Sequence, residues 1–318
     1  ILITGAAGFI GYNFSYRLLK NTKIKIYGID NLNNYYNVQI KKDRLKNLKK
    51  FKDFKFKKLD ILNNSLLEKI FRKEKFDFVF NFAAQAGVRY SIKYPRKYID
   101  ANINGFFNII ENSNKYKVKR LFYASSSSVY GENNNFPLNE KEKIFPKNIY
   151  GLSKKINEEI SFIFNKYYKV KLTGLRFFTV FGEWGRPDMM MMKFVDSYYK
   201  NKLFRLYNFG KHHRDFTYIG DVVKIMSILL KKNNKLKPVD IFNICSNRPV
   251  ALKKIIKTMK KININPRIKK LSLQQADIIK THGDNKKLIK FIGKMKFSPL
   301  KESILYTVNW YKKYNNIK

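Results

Sequence analysis

The chain has 318 residues, 44% of them hydrophobic, with 66 Lys or Arg against 23 Asp or Glu for a formal charge of +43. This is enough apolar material for a full core and enough length for one large or two modest domains, while a single cysteine, Cys245, excludes a disulfide framework and a zinc cluster. Nucleic-acid affinity needs a clustered basic face, but these lysines are spread among abundant Asn, Ile, Phe and Tyr, so the charge reads as compositional drift, with 41–58 left open as a functional basic patch.

In chain order, residues 1–3 read as an apolar strand, 4–11 (Thr-Gly-Ala-Ala-Gly-Phe-Ile-Gly) as a glycine turn and 12–20 as a helix. Gly5, Gly8 and Gly11, with Phe9 and Ile10 between them, permit a tight turn, close approach to a pyrophosphate and tight helix packing, with the helix N-terminus facing the anion. A second strand, 24–29, ends in Asp30 at the spacing expected of an acid that holds the adenosine ribose diol. Such an acid repels a 2′-phosphate, so the expected cofactor is NAD rather than NADP. The alternation continues through strand 54–58, helix 65–72, strand 76–82, helix 96–115, strand 119–124, helix 150–168 and strand 171–177. That pattern predicts an α/β fold, a doubly wound parallel sheet of the Rossmann type.

After Arg176 the regularity breaks into a loop marked by glycine and proline at 182–187, four methionines at 189–192 that read as adaptable packing, and short elements ending in a helix at 300–314. The expected division is a dinucleotide-binding domain over 1–175 and a smaller substrate lobe over 176–318, with part of 215–245 returning to the first domain. Cys245 follows a strand-like stretch and reads as a structural thiol. With no run of 18 apolar residues and no basic-apolar-small leader, neither a membrane span nor a signal peptide is expected, and a reducing, cytoplasmic setting is. Because the chain opens inside an apolar strand, a few residues are expected upstream.

The chemistry concentrates in Ser125-Ser126-Ser127-Ser128 and in Tyr150-Gly151-Leu152-Ser153-Lys154. If 121–124 is a buried strand, its C-terminal end delivers hydroxyls to the crevice where open α/β sheets bind ligands. A tyrosine four residues before a lysine on one helical face sets a cation beside a phenol, an arrangement that lowers the phenol's pKa and makes it a general base. On its own such a pair is usually a ring beside a solvated neighbour. The glycine turn and the serine strand are what lift it.

Glycine turn, Asn81-Phe82-Ala83-Ala84, serine strand and Tyr-x-x-x-Lys, in this order and spacing, resemble the extended short-chain dehydrogenase/reductase family of nucleotide-sugar enzymes, from residue 1 to about 312. Three longer segments, 84–91 (Ala-Gln-Ala-Gly-Val-Arg-Tyr-Ser), 176–189 (Arg-Phe-Phe-Thr-Val-Phe-Gly-Glu-Trp-Gly-Arg-Pro-Asp-Met) and 210–219 (Gly-Lys-His-His-Arg-Asp-Phe-Thr-Tyr-Ile), are similar to its UDP-glucuronate 4-epimerases. The resemblance implies that Tyr150 takes the proton of the sugar 4-hydroxyl, that Ser126 hydrogen-bonds that oxygen and that Lys154 holds the nicotinamide ribose and supports the phenolate. It implies Asp60 and Ile61 at the adenine, Asn31 at the ribose, and Phe82, Ala83, Ala84, Asn102 and Ser125 about the cofactor. Ser127, Ser128, Thr179 and Arg186 would bind a uronate carboxylate; Arg89, Lys193 and Arg214 would meet the diphosphate or uridine, with Gln274 and Asp277 on the uridine ribose side.

Dehydratases of the family carry an acidic pair where Ser127 and Ser128 stand, and glucose epimerases typically have Asn in place of Thr179. The chain departs from the pattern at Tyr12-Asn13, at Gly220 where an acid is common, and at Gln275-Ala276 in place of Pro-Gly. His212 and His213 read as pocket-rim or solvated residues. The expected protein is thus an isomerase, an NAD-dependent enzyme that 4-epimerises UDP-glucuronate to UDP-galacturonate by transient oxidation at carbon 4, and by family analogy a homodimer through helices near 96–115 and 150–168, without specific nucleic acid or membrane. A UDP-glucuronate decarboxylase, another UDP-sugar 4-epimerase and a non-catalytic dinucleotide- or RNA-binding protein on the same fold remain alternatives.

Overall fold

The computed structural model describes residues 1–274 and 277–317; Gln275 and Ala276 lie outside the described residues. β1 (Leu2–Thr4) is buried throughout and leads through the glycine turn into α1 (Phe9–Asn21), which turns Phe14 and Leu18 into the core. Gly5 has a φ of +66°, and a Cβ there would stand 2.8 Å from the Ala83 nitrogen, so the turn packs on the next strand end only as glycine. β2 (Ile26–Asp30), α2 (Val38–Leu48), β3 (Phe54–Lys58), α3 (Asn64–Glu74) and β4 (Phe78–Asn81) follow. Then come α4 (Val88–Lys93), α5 (Pro95–Tyr98), a π-helical stretch, Ile99–Asn104, and α6 (Gly105–Lys115). β5 (Arg120–Ser126) ends in the serines, α7 (Ile149–Tyr168) carries Tyr150 and Lys154, and β6 (Leu172–Phe177) closes the expected first domain.

The second half comprises β7 (Thr179–Phe181), α8 (Met190–Tyr199), β8 (Phe204–Leu206), β9 (His213–Tyr218), α9 (Ile219–Lys231), β10 (Val239–Ile244), β11 (Pro249–Ala251), α10 (Leu252–Lys260), β12 (Ile268–Lys270), α11 (Lys286–Ile292) and α12 (Leu300–Tyr314). The main sheet is parallel and seven-stranded in the order β10-β6-β5-β4-β1-β2-β3. Chain order reverses between β1 and β4, and in a doubly wound sheet the crevice beyond such a reversal is where ligands bind. One apolar core lies on the face of α1 and α9; a second packs on the face of α3 and α6. β10 extends the sheet beside β6, and α9 packs against α1. The remaining elements, with the small sheets β11-β9-β7 and β12-β8, enclose a third core that includes Met191 and Met192. Cys245 is fully buried among Val129, Tyr130, Leu138 and Phe178.

Two elements depart from the sequence reading. The helix expected over 96–115 is broken into α5, the π-helical stretch and α6. Pro95 suits the first turn of a short helix, and the wider π turn carries Asn102 inward to 1% exposure. The helix α2 was not anticipated, because its composition is dominated by charge. Asn37 caps it, accepting from the Gln39 nitrogen, and its inner face buries Ile40, Leu45 and Leu48 together with Lys41 and Arg44. The stretch kept open as a basic patch thus turns two of its cations inward.

Candidate active site

A cavity of about 440 Å³ opens at the reversal point. Its floor is the glycine turn: a Cβ on Gly11 would lie 2.2 Å from the Gly5 oxygen and one on Gly8 2.9 Å from it. Gly8 precedes α1 without a side-chain cap, so first-turn N–H groups stay available to an anion. Phe9 and Ile10 line the same wall. At the end of β2, the Asp30 carboxylate accepts from the Ala7 nitrogen at 3.1 Å and the Leu32 nitrogen at 2.8 Å. Burial pushes its pKa up, against the nearby Lys41 ammonium. Asn31 donates to Asp60 at 2.8 Å, and Ile61, Phe82, Ala83 and Ala84 complete this end. A side-chain-free cradle beside a helix N-terminus, with a carboxylate across from it, fits a dinucleotide.

Ser126 at the end of β5 and Tyr150 and Lys154 on α7 converge on the same cavity. Asn148 caps α7, accepting from the Gly151 nitrogen at 2.9 Å, which fixes Tyr150 in the first turn. Tyr98 lies edge-on to the Tyr150 ring, 6.1 Å between centroids. The electrostatics differ from the sequence reading. Burial raises the Tyr150 pKa, and the groups that pull it down are Ser126, which hydrogen-bonds the phenol, and the positive charge of Arg186. The lysine expected to lower it is itself 3% exposed, and burial pushes its ammonium down to about 8.

Of the substrate residues, Ser127, Ser128, Thr179, Arg186, Arg214 and Asp277 line this cavity. Thr179, Arg186, Arg214 and Asp277 also line a second cavity of about 260 Å³, together with Arg89 and Lys193. Three assignments change in character. Arg186 is not an open anion partner: its Nε and Nη2 grip both oxygens of Asp188, at 3.0 and 2.5 Å, and Tyr35 donates to that carboxylate at 3.0 Å. Its Nη1 makes no hydrogen bond among the described residues. Arg89 likewise holds Asp277 through two bonds, 3.1 and 2.7 Å, over the Tyr207 ring. Arg214 donates to the main-chain oxygens of His213, Ile278 and Ile279.

Other expected residues act from behind the wall or lie apart. Asn102 does not line the cavity; its side chain accepts from the Gln85 nitrogen at 2.7 Å and donates to the Gln85 oxygen and to Ser153, tying the 84–86 loop to α7. Ser125 does line the cavity, but its hydroxyl is committed to Glu158 at 2.6 Å, itself paired with Arg176. Gln274 lines neither cavity among the described residues. His212, expected at a rim or in solvent, is 4% exposed, whereas His213 is exposed. Lys41, which lines the cleft and donates to Asn33, was legible only as part of a charge run, and Asp188 only as an acid two residues from Arg186. No cluster of three metal-ligating side chains occurs among the described residues, and none of their helices is long and apolar enough to cross a membrane.

Known proteins share this architecture. A family model described as "NAD dependent epimerase/dehydratase family" matches residues 1–245. Protein CapI of Staphylococcus aureus is 39% identical, over 99% of this chain and 98% of its own length. A UDP-glucuronate 4-epimerase of Thermodesulfobacterium geofontis is 36% identical, over 98% of this chain and 95% of its own. Among solved structures, the UDP-glucuronic acid 4-epimerase of Bacillus cereus, in complex with UDP-glucuronic acid and NAD, is similar with a TM-score of 0.92 at 27% identity, over 98% of this chain and 99% of its own. By a family match that spans the glycine turn, Ser126, Tyr150 and Lys154 alike, the chain belongs to the NAD dependent epimerase/dehydratase family, and its cofactor is NAD.

Proposed function

We propose that this protein interconverts UDP-glucuronate and UDP-galacturonate by transient oxidation at carbon 4. One observation carries the reading: Ser126, Tyr150 and Lys154 share a cavity with Ser127, Ser128, Thr179 and Arg186. A proton acceptor therefore faces the same space as three hydroxyls and a guanidinium, a donor set suited to a carboxylate. Relatives named for the same reaction support it.

In this mechanism Tyr150 takes the proton of the 4-hydroxyl and later returns it, and Ser126 holds that oxygen in place. The chemistry NAD supplies when bound is hydride exchange with carbon 4, without net redox over a turnover. Arg186 does double duty: its charge favours the Tyr150 phenolate, and its uncommitted Nη1 joins the three hydroxyls around the carboxylate. A 4-keto uronate is a β-keto acid and loses carbon dioxide when its scissile bond aligns with the carbonyl π system. Holding the carboxylate in a fixed position relative to the sugar ring is how these residues would keep that bond out of line.

A homodimer belongs to the same reading. Phe107 on α6 and Leu152, Phe162 and Ile163 on α7 are exposed, an apolar face that a second copy would cover; light scattering at the mass of one 37.9 kDa chain would refute it. Incubation with UDP-glucuronate and product analysis tests the activity. UDP-galacturonate without appreciable UDP-pentose is expected. UDP-pentose as main product would mark a decarboxylase, and preference for UDP-glucose would overturn the uronate assignment.

A further inference from the structure

What Arg186 does in the reading above depends on where its free Nη1 points. Its Nε and Nη2 are gripped by Asp188, and a bidentate pair is close to neutral overall. Such a pair offers a carboxylate a directed N–H more than a charge, and a hydrogen bond weakens steeply as it leaves its line. Asp188 in turn is held from across the cleft. Tyr35, in the segment between β2 and α2 shortly after Asp30, donates its hydroxyl to Asp188 Oδ2 at 3.0 Å, the oxygen that also meets Arg186 Nη2. The Arg186 guanidinium lies over the Tyr35 ring, 5.7 Å from its centroid. Among the described residues, no other side chain hydrogen-bonds to either member of the pair.

The segment that carries Tyr35 is braced by contacts of its own. The Leu32 nitrogen donates to Asp30 at 2.8 Å and the Asn33 nitrogen to Asn31 at 3.0 Å, while Lys41 donates to the main-chain and side-chain oxygens of Asn33 at 2.8 and 3.0 Å. Asn37 closes it as the cap of α2. The Tyr35 ring stands edge-on to Tyr90, 4.9 Å between centroids, and glycine at 87 leaves room for the hydroxyl, since a Cβ there would collide with it. Burial and the Asp188 charge push the Tyr35 pKa up to about 12, so at neutral pH the oxygen carries the proton it donates.

We infer that Tyr35 is a positioning residue for Arg186: acting through Asp188 from the cofactor side of the cleft, it sets the direction of Nη1 and with it the preference for a uronate over a neutral sugar. The inference rests on the uronate reading above. Without the Tyr35 hydroxyl, Arg186 and Asp188 keep their mutual pair, but that pair is tied only to its own loop and can swing as a unit. The lost contact is one hydrogen bond, which corresponds to about two- to tenfold in affinity.

Calorimetric titration of the NAD-bound protein with UDP-glucuronate and with UDP-glucose tests it, each protein carrying Tyr150→Phe so that the ligand is not turned over. The parent should prefer UDP-glucuronate. Tyr35→Phe removes one oxygen and keeps the ring; it should weaken UDP-glucuronate about two- to tenfold and leave UDP-glucose within about twofold. In an Arg186→Ala background, where the positioned group is gone, Tyr35→Phe should change neither constant. Circular dichroism shows that each variant is folded. A packing role alone would weaken both ligands together and persist without Arg186. Either result, an unchanged preference, or loss of NAD from folded Tyr35→Phe would overturn the assignment to Tyr35 while leaving the uronate reading standing. A parent that binds UDP-glucose as tightly as UDP-glucuronate would overturn both.

Discussion

Lys154 has a task that conflicts with its surroundings, and the conflict is measurable. It is 3% exposed on α7, and burial pushes its ammonium from the ordinary 10.5 down to about 8. A displacement of that size corresponds to on the order of 3 kcal/mol of folding free energy at neutral pH. The neutral, similarly shaped variant Lys154→Met should therefore stabilise the NAD-free protein by about that amount, several degrees in Tm for a chain of this size. Because the folded pKa is depressed, the cost is fully present below about pH 8, where both folded and unfolded chains are protonated. It shrinks from about 8 to 10.5 as the folded state sheds its proton first, and vanishes above that. Denaturant melts of both proteins, stripped of NAD, at pH 6, 7 and 10 read the effect. The gap should be nearly constant at the two lower values and small at the highest. A variant no more stable than the parent at pH 7, or a gap that does not narrow at pH 10, would refute the reasoning. With NAD present the ordering should invert, since the ammonium is then the group expected to hold the nicotinamide ribose; NAD retained through desalting measures that loss.

Tyr150→Phe should lower turnover by ~10² to 10⁴-fold with fold and NAD content intact, read by circular dichroism and cofactor absorbance. The rate should rise with pH as the phenol ionises, and Arg186→Ala, which removes a charge that lowers the Tyr150 pKa, should move that limb to higher pH in a pH–rate profile. The same variant should weaken uronate binding by about tenfold or less, at the low end for a charge-assisted bond, because Asp188 already neutralises the guanidinium, and should raise the fraction of decarboxylated product. Denatured protein should release NAD and not NADP, and Asp30→Ala should bring NADP into the released pool, checked by mass spectrometry.

Where local pattern and global fold agree, the sequence was enough. The glycine turn needs its three glycines for reasons of space that hold in any such fold, and Asp30 follows from strand length alone. Tyr150 and Lys154 face one cavity because an intervening turn of helix allows nothing else. What failed to show depends on partners distant in sequence or on departures from regular geometry. Asn102 was expected beside the cofactor, but the π-helical turn rotates it behind the wall. Ser125 follows the right strand, yet a carboxylate from α7, Glu158, claims its hydroxyl. His212 precedes β9 and is buried where its main-chain oxygen accepts from the Leu252 nitrogen at 2.9 Å, a contact no local signal announces. The charge on Arg186 was legible; its bidentate capture by Asp188 was not, since two residues of separation allow the side chains to meet or to diverge.

The surplus of positive charge has a structural counterpart around the cleft. With 66 basic residues and 23 acidic ones, most cations cannot have a carboxylate, and those turned inward use main-chain oxygens instead. Arg44 donates to the oxygens of Ala7 and Trp184 and to the Tyr36 hydroxyl; Arg120 donates to those of Lys237 and Leu236. A carbonyl dipole stabilises a cation less than a carboxylate does. Burial accordingly drives Arg120 and Arg214 down to about 10, whereas Arg176 and Arg186, each gripping an acid, are raised. In return, a guanidinium satisfied by carbonyls joins chain segments rather than one side chain. Arg44 fastens the glycine turn to the loop after β7, and Arg214 fastens β9 to residues 278–279. A lysine at either position has one nitrogen to do this with and could not span oxygens set apart on separate strands of chain, so the wall between cofactor and substrate ends depends on arginine for its geometry as much as for its charge.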